Sequence, residues 1–173
     1  MTSTTLEHVE IPAAIRDLDL SLIGGKLKDR ATEGREATCP PVELDKLDQA
    51  IEDYRLFLAM CQKYPGFPIV PSFDIDEVWH QHVLFTEKYR EDCQATFGRP
   101  FEHVPYFGRV VADKGQDSRI FENTLALWKQ EYGQVPASYA GMADLTCSGG
   151  WSGTVDLTGN FMSWDEQAKV LRG

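Results

Sequence analysis

Apolar residues return every three or four positions along several stretches of this chain, the spacing that keeps side chains on one face of an α-helix. The clearest run is Leu44, Leu47, Ile51, Tyr54, Leu58 and Cys61, which predicts an amphipathic helix over 42–64 closed by Pro65-Gly66. Its stripe reads as core packing rather than a partner-binding groove. A second run, Phe121, Leu125, Trp128 and Tyr132, predicts a helix over 118–132 with Gly133 as its stop. A third helical stretch covers 75–97, with Ser72 or Asp74 as N-cap and Gly98-Arg99-Pro100 as its end. A break is expected in it near Phe85-Thr86, where Thr86 can cap a second segment. Residues 11–28 alternate Ile15, Leu18, Leu22 and Ile23 with charges, giving a helix that ends at Gly24-Gly25 or runs on past a kink.

The connections carry opposite signals. "RATEGREATCPP" is polar and Pro-containing, and "YPGFPIVPSFDID" has three prolines that exclude regular helix. "FEHVPYFG" reads as a short aromatic loop, and "CSGGWSGTVDLTGNFMSW" as a short hairpin or an ordered loop. No internal repeat is visible. The pattern predicts a mainly α fold: a single-domain helical bundle over 1–135, with an irregular Gly/Ser-rich C-terminal segment over 136–173 packed on the same domain. Leu47, Ile51, Tyr54, Leu58, Phe121, Leu125 and Trp128 are the expected core.

Composition narrows the class. The 173 residues are enough for one domain with a sizeable core, and 42% hydrophobic with 25% charged residues is globular. A net charge of -10 without a local Lys/Arg cluster argues against nucleic acid and anionic membranes as partners. No apolar run approaches the ~20 residues of a membrane span, and the first residues lack a basic, then apolar, secretory pattern. Cys39, Cys61, Cys93 and Cys147 are widely spaced with no CxxC, so reduced thiols, no intramolecular disulfide and a cytoplasmic location are expected.

Candidate chemistry concentrates in "IDEVWHQH", since three of the four histidines fall between His80 and His103. With Asp76 at 0° on a wheel advancing ~100° per residue, His80 falls near ~40° and His82 near ~240°. The two histidines therefore diverge, unlike the i, i+4 pair of a zinc-binding HExxH helix. Asp76 and His80, one turn apart, can be co-ligands, or the carboxylate can orient the imidazole. His103 is the natural third group. Two histidines and a carboxylate suit zinc or iron with open positions. His82 with Cys93 and His103 is an alternative set that requires the helix to break near Phe85. A structural hydrogen-bonded cluster and metal-free acid–base catalysis compete with both. Tyr89 and Asp92 read as packing and capping residues, and Cys93 as a core thiol before a ligand or nucleophile.

"YRLFLAMC", "IVPSFDIDEVWHQHVLFTEKYREDCQATFG" and "HVPYFG" share the shape D-x-x-W-H-x-H-x-L-x-x-x-x-Y-x-x-D-C. On these residues the chain resembles the glycine-rich domain-containing protein-like family of plants, fungi and bacteria, over about a third of its length. The resemblance implies a mostly helical domain of poorly defined biochemistry, with plant members associated with growth and stress responses. It implies a role for Asp76, Trp79, His80, His82, Tyr89, Asp92 and Cys93. Many relatives carry proline at the position of Thr86. The long glycine-rich extension of the plant members is only faintly echoed by "CSGGWSG".

Three functions are open on this reading. The first is a metalloprotein, as an enzyme or otherwise, holding zinc or iron on His80, His103 and either Asp76 or His82. The second is a helical interaction module with a structural histidine cluster. The third is a thiol-dependent enzyme using Cys93. The partner is a small molecule or a protein that the sequence does not name. No phosphate-binding glycine loop, GxSxG or dinucleotide fingerprint is present.

Overall fold

The computed structural model describes residues 11–33, 42–103, 116–140, 142 and 162–173. Among these residues the fold is all helix, with no strand. In chain order the helices are α1 (Ala13–Arg16), α2 (Ser21–Glu33), α3 (Leu47–Lys63), α4 (Phe73–Leu84), α5 (Thr86–Phe97), α6 (Gln116–Tyr132) and α7 (Trp164–Val170), with short 3₁₀ turns at Leu44–Lys46 and Ala137–Tyr139. None is long and apolar enough to cross a membrane.

The long apolar stripe becomes α3, the hub of the bundle. Leu47, Ala50, Tyr54, Phe57, Leu58 and Cys61 are buried and Ile51 is half-buried. Helix α3 packs against α4, and α2 contacts both. Helix α6 contributes buried Phe121, Leu127 and Trp128, with Leu125 half-buried.

The single helix expected over 11–28 is instead two. The polypeptide leaves helical geometry after Arg16 because Arg55, from α3, donates to the carbonyls of Ile15 (2.9 Å), Arg16 (3.1 Å) and Leu18 (2.9 Å). Those acceptors then have no need of a following helical turn. Asp19 Oδ1 accepts the Ser21 N–H at 3.0 Å and starts α2. Gly24 and Gly25 end nothing, since both lie inside α2. Gly24 marks a close approach: a Cβ there would sit 3.2 Å from Ile51 Cδ1 of α3.

At the other end, α7 was not expected from periodicity, although "SWDE" carried its signal. Ser163 and Glu166 form a reciprocal capping box. Helix α7 is bonded to α6 through Asn123 Nδ2 to Gln167 Oε1 (2.9 Å) and Gln130 Nε2 to the Val170 carbonyl (3.0 Å). The Arg119 guanidinium lies 4.3 Å over the Trp164 ring. The expected hairpin or ordered loop in the Gly/Ser-rich stretch, and the "VPYFG" loop, lie outside the described residues.

Candidate metal centre

Helix α4 begins where its cap dictates. Ser72 Oγ accepts the Ile75 N–H at 3.3 Å, and is itself held by Ser138 Oγ at 2.7 Å. Asp74 and Asp76 occupy the first turn, where a helix favours negative charge. His80 follows one turn later, with Nδ1 3.3 Å from Asp76 Oδ2.

The third group arrives through a separate set of contacts. Helix α5 stops at Gly98, whose φ of 65° is left-handed and easy only for glycine. Phe101 then stacks on Phe97 and on Trp79, with ring centroids 4.4 and 5.1 Å apart. Trp79 Nε1 donates to the Tyr89 hydroxyl (2.9 Å), which donates to the Phe101 carbonyl (2.6 Å). So anchored, His103 lies edge-on to Trp79 at 4.4 Å and against the His80 ring at 4.4 Å. Its Nε2 is 3.1 Å from Asp76 Oδ1.

One ligand atom from each of Asp76, His80 and His103 therefore falls within 4.8 Å of the others. The Asp–His separations of 3.3 and 3.1 Å run to different oxygens of Asp76, so the carboxylate lies between the two imidazoles. The donor set, two imidazoles and a carboxylate, fits a divalent first-row ion. The cluster is open on one side: the His80 side chain is 42% exposed, Asp76 21% and His103 8%.

His82 is not brought to this cluster. It points to the opposite side of α4, where it is buried, with Nδ1 2.9 Å from the Tyr54 hydroxyl and Nε2 2.9 Å from Asp92 Oδ2. Lys88 Nζ completes the group at 2.8 Å from Asp92. Burial lowers the His82 pKa against the opposing pull of Asp92, and burial pushes the Tyr54 phenol well up. A neutral His82 accepting from Tyr54 and donating to Asp92 satisfies all three groups. The helix break that the His82–Cys93–His103 set required does occur, at Phe85 (φ -83°, ψ 65°), but it turns α5 so that Asp92 meets His82. Thr86 does not cap the second segment: Phe85 occupies the cap position without a side-chain bond.

Cys93 is buried, and burial raises its thiol pKa against the opposing influence of the Phe101 backbone and of Tyr89. Such a sulfur is protonated and inaccessible, the reverse of an activated nucleophile. Of the residues singled out from the sequence, Asp76, His80 and His103 form the open cluster. Trp79 and Tyr89 anchor the segment that carries His103, and His82 and Asp92 tie α3, α4 and α5 together. The partners that sequence reasoning missed are Tyr54 and the Phe101 carbonyl. Tyr54 lay in a stripe already explained by core packing, and no spacing rule links it to a histidine 28 residues away.

Comparison with known proteins finds relatives of this chain. It is similar to glycine-rich domain-containing proteins 1 and 2 of Arabidopsis thaliana, at 27% identity over 94 and 95 residues, 50% and 51% of this chain. The matched regions span only 11% and 12% of those plant proteins. No solved structure matches. The UCP032817-like family matches residues 26–126, which is more than half of the chain and includes Asp76, His80, His82, Cys93 and His103. The chain belongs to the UCP032817-like family.

Proposed function

We propose that this protein binds a divalent first-row metal ion, zinc or iron, through Asp76, His80 and His103. The observation that carries the reading is the convergence of three ligand atoms within 4.8 Å, two from one turn of α4 and one from the segment after α5. A structural tie alone would be better served by burial. His82 and Asp92 are such a tie, whereas His80 is the most exposed member of its cluster. Three protein ligands leave coordination positions for water or a small-molecule substrate, and a divalent ion supplies Lewis-acid or redox chemistry there. The chain's own part is to hold His103 by the Trp79–Tyr89–Phe101 contacts and to orient both imidazoles on one carboxylate. Buried Cys61 and Cys93 thiols suit a reducing, cytoplasmic setting.

The competing reading is that Asp76 merely bridges two imidazoles in a helical interaction module. Elemental analysis of protein purified without chelator or nickel affinity separates the two. About one equivalent of zinc or iron per chain is expected, falling to background in His80→Ala with helical circular dichroism retained. A metal-free parent that also fails to take up added zinc or iron would sink the proposal.

A further inference from the structure

From His103 an unbroken run of conjugated rings leads away from the candidate metal centre into the core. The His103 ring meets Trp79 at a centroid distance of 4.4 Å, and Trp79 Nε1 donates to the Tyr89 hydroxyl at 2.9 Å. Tyr89 lies edge-on to His82 at 4.9 Å, and the Tyr54 hydroxyl is 2.9 Å from His82 Nδ1. Every step is a ring contact or a hydrogen bond, so an electron crosses no wide gap between His103 and Tyr54. Trp79, His82 and Tyr54 are buried and Tyr89 is half-buried, which shields the run from solvent.

Its far end differs chemically from its middle. A phenol that gives up an electron becomes a strong acid, so its oxidation is easy only where a base takes the proton. Tyr89 donates to the Phe101 carbonyl, and a peptide carbonyl cannot hold a proton. Tyr54 faces an imidazole nitrogen, and the other nitrogen of that ring is 2.9 Å from the Asp92 carboxylate. Among the described tyrosines it is the one bonded to histidine: Tyr132 and Tyr139 donate to carbonyls, and Tyr64 to the Glu131 carboxylate. Trp128 repeats the Trp–Tyr bond with Tyr139 at 2.9 Å, but that pair ends on the Val70 carbonyl and serves as an internal control.

We infer that Tyr54 is an electron donor to an iron ion at Asp76–His80–His103, through Trp79 and Tyr89, with hydrogen peroxide as the oxidant. This rests on the metal reading above and narrows it to iron, since zinc has no redox chemistry. One peroxide takes one electron from the ferrous ion and one from Tyr54. The products are the ferric ion, a neutral phenoxyl radical on Tyr54 and two hydroxides. The phenolic proton moves along the existing hydrogen bond onto His82, beside Asp92. The second oxidising equivalent thereby leaves the His80 and His103 rings, which it would otherwise attack.

Freeze-quenched electron paramagnetic resonance tests this on protein loaded anaerobically with ferrous iron and given one equivalent of hydrogen peroxide. A phenoxyl signal is expected, lost in Tyr54→Phe and retained in Tyr139→Phe, with bound iron and circular dichroism alike in all three proteins. Heavy-nitrogen labelling of histidine alone should alter the nitrogen couplings of the wild-type signal, because the radical is hydrogen-bonded to imidazole. Should Tyr54→Phe lose its fold, that label decides. Stoichiometric iron without a phenoxyl signal, a signal that survives Tyr54→Phe, or one that ignores the histidine label overturns the inference and leaves the metal site standing. A chain that holds zinc but no iron also overturns this inference alone, and one that holds neither overturns both.

Discussion

His82 holds its place by hydrogen bonds on both ring nitrogens, and its removal is expected to be costly. His82→Ala leaves the buried Tyr54 hydroxyl without its partner and Asp92 with Lys88 alone, a loss of about 3 kcal/mol in urea denaturation. The same residue gives stability a pH dependence of definite sign. Its pKa in the folded state lies below the ordinary 6.5, so the unfolded chain binds the proton more readily. Stability from this group is therefore full above 6.5 and is lost as pH falls from there toward the folded value. Urea midpoints of the wild type should fall between about pH 7 and pH 5, and those of His82→Gln should fall less. An equal fall in both would assign the slope to other groups. Asp76 and His80 could be read together from sequence because helical spacing alone joins them. His82 could be separated from them on the same ground. The partners of His82 could not be read, because they depend on how three helices pack.

At the scale of elements, the break between α4 and α5 decides which histidine does what. Phe85 leaves helical geometry with its N–H bonded to the His82 carbonyl at 3.1 Å, and α5 restarts with Thr86 at its first position. Proline is well suited there, since the first N–H of a helix has no intrahelical partner and Phe85 is already outside the α region. Thr86→Pro is therefore expected to leave thermal stability unchanged or raise it by about 0.4–1 kcal/mol. A drop in melting temperature would show that the Thr86 side chain or N–H contributes more than its geometry suggests. The break was anticipated from the sequence, but for a capping hydroxyl that does not act. The split between α1 and α2 was not anticipated, because Arg55 lies far along the chain and periodicity cannot see a side chain that satisfies another helix's carbonyls.

Over the whole molecule, the mainly helical core followed from the apolar stripes of α3 and α6, which tertiary packing merely used. The C-terminal helix did not, because seven residues hold too few periods to register and its start is written only in a cap. The core gives the thiols their character. Cys61 and Cys93 are buried, so in native buffer both should react with a thiol reagent far more slowly than in denaturant. Rapid modification of either in the native protein, located by peptide mapping, would mean that the bundle opens locally.

Trp79 has a consequence for how this protein can be watched. Its indole is fully buried, donates to Tyr89 and lies edge-on to His103 at a ring distance of 4.4 Å. An excited indole is quenched by electron transfer to an imidazole in ring contact, more readily once that imidazole carries a cation. The chain thus carries its own optical gauge of the cluster. Quenching of the blue-shifted emission on adding zinc or iron, lost in Trp79→Phe, would report occupancy in real time without any label.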